Sequence, residues 1–147
     1  MKIQAESQGY KKLKVYVLSH DLAVRVHKMA VKLPRFEMIE EGSQIRRSSK
    51  SVSSNIVEGY ALRKYKQEYI HYLSRALASS LETVEHLDFL FETGSLKDEA
   101  LYKELREKYG ELNSMLYRFI GSVESQHDTG RIGKIDKWQF HFRKPTI

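Results

Sequence analysis

Apolar residues recur along this chain at alternating spacings of three and four, which is the period of a helix with one buried face. Val15, Leu18, Leu22, Val26, Met29 and Leu33 mark a first helix predicted from about Lys12 to Leu33. Pro34 ends it, because proline pushes the preceding residue out of the helical region. A second helix is predicted from about Phe36 to Tyr60, with Met38, Ile45, Ser49, Val52, Ile56 and Gly59 as its seam. Glu37, Glu40 and Glu41 fall in its first turn, where acids favour the helix dipole, and Gly59 reads as its terminator.

A third helix, from about Tyr65 to Glu92, carries Tyr69, Leu73, Ala76, Ser80, Val84, Leu87 and Phe91, with Leu77, Leu81 and Leu90 widening the stripe. Thr93-Gly94-Ser95 stops it and supplies the next cap. A fourth, from about Lys97 to Ser125, uses Leu101, Leu105, Leu112, Leu116, Phe119 and Val123. Short connections force sequential helices to lie antiparallel. The predicted fold is therefore all-α: an antiparallel up-down-up-down four-helix bundle over residues 1–125 with a non-helical C-terminal tail over residues 126–147. An apolar period of about 3.5 implies shallow, left-handed crossings.

Gly130, Gly133 and Pro145 oppose helix in the tail. Trp138, Phe140 and Phe142 alternate with Gln139 and His141, so the aromatics share one face if the segment is extended. Two readings stay open: a mobile tail, or an arm that docks on the bundle or on another subunit.

A length of 147 residues suits one domain with one core, and 41% apolar with 30% charged residues suits a soluble one. The absence of cysteine excludes disulfides and thiolate metal sites and agrees with a reducing cytoplasm. No apolar run approaches the roughly 20 residues of a membrane span, and the N-terminal segment lacks the apolar centre of a signal peptide. A cytoplasmic protein without membrane contact is expected.

The net charge of +6 is unevenly spread. Residues 42–66 hold six basic groups and one acid, Glu58, whereas residues 67–125 hold six basic groups and eleven acids. Such a split suits nucleic acid at the basic segment, or the basic surface of one copy meeting the acidic surface of the next. Within the basic segment Ser48, Ser49, Ser51, Ser53 and Ser54 crowd a helix, although serine is a middling helix former. Small side chains there predict the close approach of another helix.

Chemistry-bearing patterns are few. Glu68 and His71 have the three-residue spacing of half a di-iron bundle site, but no second Glu-x-x-His exists. Glu82 and His86 read as an ordinary helix-face pair. There is no Gly-rich phosphate loop and no Gly-x-Ser-x-Gly elbow. No metal, no cofactor and no catalysis are expected. Arg46, Arg47 and Lys50, followed by Arg63, Lys64 and Lys66, are the candidate phosphate contacts, since arginine offers a bidentate fork. Asn55 and Glu58 lie on one flank beside Ile56, with Arg46, Arg47 or Arg63 available to Glu58 within this subunit or across to another.

Leu33-Pro34, Glu37, Gln44-Ile45-Arg46-Arg47-Ser48, Ser53-Ser54-Asn55-Ile56-Val57-Glu58-Gly59, Arg63 and Ala76-Leu77-Ala78-Ser79-Ser80-Leu81-Glu82 together resemble the 23S rRNA intervening-sequence protein family, over about residues 13 to 123. The resemblance implies a small bacterial four-helix bundle that assembles as a homopentamer. Such proteins are often encoded within 23S rRNA genes, and some are labelled ribosomal proteins. They are similar in fold to accessory proteins of retroelements that bind reverse transcriptase and nucleic acid. It places Arg46, Arg47, Asn55, Glu58, Gly59, Arg63 and Glu82 at motif positions, with Asn55, Glu58, Gly59 and Glu82 as structural or interface residues. It carries nothing to the tail.

Two functions stand side by side. One is a non-enzymatic oligomer that binds RNA. The other is a protein-interaction scaffold whose charged faces join copies and whose ring receives a partner protein.

Overall fold

The computed structural model describes residues 8–126. A 3₁₀ turn at Gly9–Lys12 leads into α1 (Lys14–Ala30), the one-turn α2 (Arg35–Ile39), α3 (Glu41–Ala61), α4 (Lys66–Glu92) and α5 (Glu99–Ser125). No strand occurs among the described residues. The tail aromatics Trp138, Phe140 and Phe142 lie outside them.

Each long helix has two long neighbours: α3 packs on α1 and α4, and α5 packs on α4 and α1. Glu41 meets His86 and Ser51 meets Ser79, so α3 and α4 run antiparallel. Asp88 meets Tyr102 and Ser80 meets Asn113, so α4 and α5 do too. Leu22, Val26, Ile45, Val52, Ile56, Leu73, Leu87, Leu105, Leu112 and Leu116 are fully buried between them. Tyr69 and Phe119 meet edge to face across α4 and α5, with ring centroids 5.6 Å apart. Among the described residues no helix is long and apolar enough to cross a membrane.

Element boundaries depart from the apolar pattern at three places. α1 ends at Ala30 rather than Leu33; the Leu33 amide donates to Ala30 O in a closing turn, and Leu33 stays buried. The predicted second helix is broken at Glu40, which has φ −82° and ψ −100°. Side chains then serve the broken ends. Arg46 Nη1 donates to Met38 O at 3.0 Å, and the Glu41 amide donates to Glu37 Oε1 at 3.3 Å. Ser95 donates to the other Glu37 oxygen, so this carboxylate is buried with partners on both oxygens. The cap of α5 is Asp98, which accepts the Leu101 amide, and not Ser95.

Gly59 does not terminate α3, which runs on to Ala61. A Cβ at Gly59 would lie 3.0 Å from Tyr72 Cβ and 3.3 Å from Tyr69 Cδ1, so this glycine admits α4 closely. The left-handed glycine is Gly94, at φ 81°, where the chain leaves α4.

The serine segment does what small residues predict. Ser48 Oγ lies 2.8 Å from Thr83 Oγ1, and Ser51 Oγ lies 2.9 Å from Ser79 Oγ, hydroxyl to hydroxyl between α3 and α4. That contact rotates α4 away from its apolar expectation. Thr83 and Leu90 are buried, Val84 and Phe91 are half-buried, and Leu81 is exposed.

Candidate nucleic-acid interface

Helical geometry separates the six basic residues of the 42–66 segment. Arg46 is half-buried and engaged at Met38 O. Arg47 and Lys50, three positions apart, are exposed on the outward face of α3. Arg63 is held at the far end, its Nη1 donating to Tyr60 O at 3.0 Å and its guanidinium lying 4.0 Å from the Tyr60 ring centroid. Lys64 is exposed beside it and Lys66 half-buried. The eleven residue steps from Lys50 to Ala61 span roughly 17 Å of helix, so these are two surfaces and not one patch.

The nearer surface gains residues from α1. A groove of about 360 Å³ separates the two helices, with His20, Ala23, Val24, His27 and Lys28 on one wall and Lys50, Ser53 and Ser54 on the other. Ala23 is nearly buried and keeps the groove open. Ser53 and Ser54 both donate to Lys50 O, at 3.2 and 2.9 Å, which turns their hydroxyls onto the backbone. No carboxylate lines the groove. Lys28, Arg47 and Lys50 make no ion pair within 4 Å among the described residues. The result is a small-residue groove with Lys28 and Lys50 on its two walls and no carboxylate in its lining, and with exposed Arg47 beside it on α3.

The remaining motif residues are brought together only in part. Asn55 Nδ2 donates to Ser51 O at 2.8 Å and to Ser51 Oγ at 3.0 Å, which fixes the Ser51–Ser79 contact. Glu58 is exposed and pairs with none of Arg46, Arg47 and Arg63 in this subunit. Glu82 Oε1 lies 3.4 Å from His86 Nε2, the expected helix-face pair. Sequence reasoning missed the partner on the other ring nitrogen, Glu41 Oε2 at 2.7 Å. It also missed Lys28 and His27, which the apolar stripe of α1 places on its outward side. Glu68 and His71 are both exposed on α4. Among the described residues no group of three or more His, Cys, Asp or Glu side chains could hold a metal ion.

Two perturbed phenols lie in α5, away from the groove. The hydrogen bond from Tyr102 to Asp88, at 2.7 Å, raises the Tyr102 pKa, with burial adding to it. Burial alone pushes the Tyr109 phenol far above its ordinary value.

Residues 11–118 match the family model described as 23S rRNA-intervening sequence protein. The chain belongs to that family. The tail beyond Gln126 lies outside the matched span. A solved member of the S23 ribosomal protein family from Bacteroides thetaiotaomicron, described as a protein of unknown function, is 26% identical. It superposes with a TM-score of 0.65, covering 73% of this chain and 95% of that one. No curated protein matches.

Proposed function

We propose that this family member is a non-enzymatic, cytoplasmic RNA-binding protein that acts as a homo-oligomer, a pentamer by family resemblance, on structured RNA of the 23S rRNA intervening-sequence kind. The observation that carries the reading is the pair Lys28 and Lys50, exposed on opposite walls of the α1–α3 groove with no acid in its lining, with exposed Arg47 one turn before Lys50 on α3; none of the three makes an ion pair among the described residues. Repetition of that trio around a ring multiplies weak phosphate contacts by avidity. The family description, 23S rRNA-intervening sequence protein, supports 23S rRNA as the first RNA to try. Anisotropy titration of labelled 23S rRNA fragments with the purified protein tests it. Affinity should fall steeply between roughly 50 and 200 mM salt, as counterion release requires. Absence of binding at the lower salt overturns the RNA reading.

A second reading, a protein-interaction scaffold, draws on Val17, Val24 and Val31. These are exposed at seven-residue spacing, Val17 and Val24 on α1 and Val31 at its C-terminal cap. Solvent-facing valines at a heptad interval suit a helix from another chain. This reading expects no RNA affinity, and a pull-down of protein partners tests it.

A further inference from the structure

We propose that the cavity between α1 and the α4–α5 connection is a nucleotide pocket, taking an unstacked heterocycle on its apolar floor and the attached phosphate on its lysine rim. The cavity holds about 680 Å³, within the roughly 300–1,000 Å³ of small-molecule sites. Met29, Leu33 and Leu96, all nearly buried, form the floor with half-buried Leu101.

The rim is cationic from two sides. Lys28 and Lys32 stand one turn apart on α1 and the turn that follows it, and Lys97 faces them from the connection before α5. None of the three makes an ion pair among the described residues. Arg25, the fourth basic residue of the lining, is paired with Glu104 at 2.9 Å.

The one carboxylate on the lining is Asp98. Its Oδ1 accepts the Leu101 amide at 3.0 Å, while Oδ2 makes no hydrogen bond among the described residues. An acceptor beside an apolar floor matches the exocyclic amino group of adenine, guanine or cytosine. Asp98 is exposed, and a fatty acid, which has no donor, would use the floor and the lysines but not this acceptor. A phosphorylated, amino-bearing ring satisfies all three. Lys28 lines both this cavity and the α1–α3 groove, so a strand lying in the groove can deliver a nucleotide here over a single lysine. The inference rests on the RNA reading for the source of the nucleotide, and on the pocket alone for its chemistry.

The test uses full-length protein with ¹³C-methyl methionine. Met29 lies in this pocket, whereas Met38 and Met115 lie elsewhere and serve as internal controls. The probes are the four 5′-mononucleotides, adenosine without phosphate, and short single-stranded RNA. A saturable shift of the Met29 methyl with AMP, GMP or CMP is expected, with Met38 and Met115 unmoved. Adenosine, and the variant carrying Lys32→Glu with Lys97→Glu, should each bind at least about tenfold more weakly, a factor equal to roughly 1.4 kcal/mol. Both lysines are exposed, and unchanged Met38 and Met115 signals verify that the variant is folded. A Met29 methyl that stays still with every probe overturns the proposal, as does a shift that the double charge reversal leaves unchanged. RNA binding without a Met29 shift removes the pocket and leaves the RNA reading standing. A Met29 shift with mononucleotides, in a protein that binds no RNA, supports a free-nucleotide pocket and removes the RNA source.

Discussion

His86 Nδ1 and Glu41 Oε2 lie 2.7 Å apart and tie the first turn of α3 to α4 across 45 residues of sequence. The chain has just broken its helix at Glu40, so α3 has no continuous helix behind it to fix its direction. The His86 contact, the Arg46 bond to Met38 O and the Glu37 bond to the Glu41 amide fix it instead. That direction places Lys50 on the groove, with Arg47 exposed one turn before it.

His86→Ala should therefore destabilise the fold by about 0.5–1.5 kcal/mol, the net value of a typical hydrogen bond. Glu82→Ala, which removes the exposed partner at 3.4 Å, should stay within about 0.5 kcal/mol of the parent. Denaturant midpoints of the two variants check the difference. Equal losses would mean that the interhelical contact adds nothing to the intrahelical pair.

Glycines on two helices should respond with opposite sign. Gly59→Ala places a methyl 3.0 Å from Tyr72 Cβ, an atom fixed to the α4 backbone, and should destabilise. Gly110→Ala meets nothing within 4 Å on the exposed side of α5. It should stabilise by about 0.5–1 kcal/mol through the helix preference of alanine. Thermal melts of both variants suffice.

Ile56 and Ser49 are both fully buried on α3. Ile56→Ala should cost about 2–5 kcal/mol through reduced apolar burial and the cavity left behind. Ser49→Leu should cost about 1–3 kcal/mol by overpacking. If both variants unfold at the parent's midpoint, the buried face of α3 is misassigned.

Tyr109 should contribute to the loss of stability at alkaline pH. Its hydroxyl is buried without a hydrogen-bond partner among the described residues, and burial raises its pKa above the ordinary 10.0. The folded state then holds the phenol proton more tightly than the unfolded state. The contribution of Tyr109 to stability is therefore full below pH 10.0 and is lost as pH rises above it. Tyr109→Phe should flatten that fall and leave neutral-pH stability equal or higher, because an unsatisfied buried hydroxyl costs about 1–3 kcal/mol. Urea titrations at neutral and alkaline pH check both parts.

The bundle was legible because long apolar stripes report burial directly. Val15, Leu22, Val26, Ile45, Val52, Ile56 and Leu73 all fall where their spacing puts them. The serine run was legible as a close helix contact for a steric reason that needs no partner to be named. The failures share a cause. Glu40 breaks a helix whose local sequence favours continuation, and the compensating bonds come from Arg46, two turns on in α3, and from Ser95, far along the chain. Thr83 is buried because it faces Ser48 on another helix, so hydropathy ranks it below Val84. The basic segment read as one patch because sequence proximity hides the roughly 17 Å of helix between Lys50 and Ala61. Lys28, which completes the groove, stands 22 residues before Lys50 and joins it only through packing.

The most direct test compares the two basic surfaces in one assay. RNA affinity is measured against salt for the parent, for Lys28→Ala/Arg47→Ala/Lys50→Ala, and for Lys64→Ala/Lys66→Ala. The triple variant should bind more weakly, with a salt slope shallower by about 0.7–0.9 for each phosphate that is no longer neutralised, while the far-end variant keeps the parent's affinity and slope. An unchanged slope in the triple variant, or a weakening confined to the Lys64 and Lys66 variant, would contradict the placement of RNA in the α1–α3 groove.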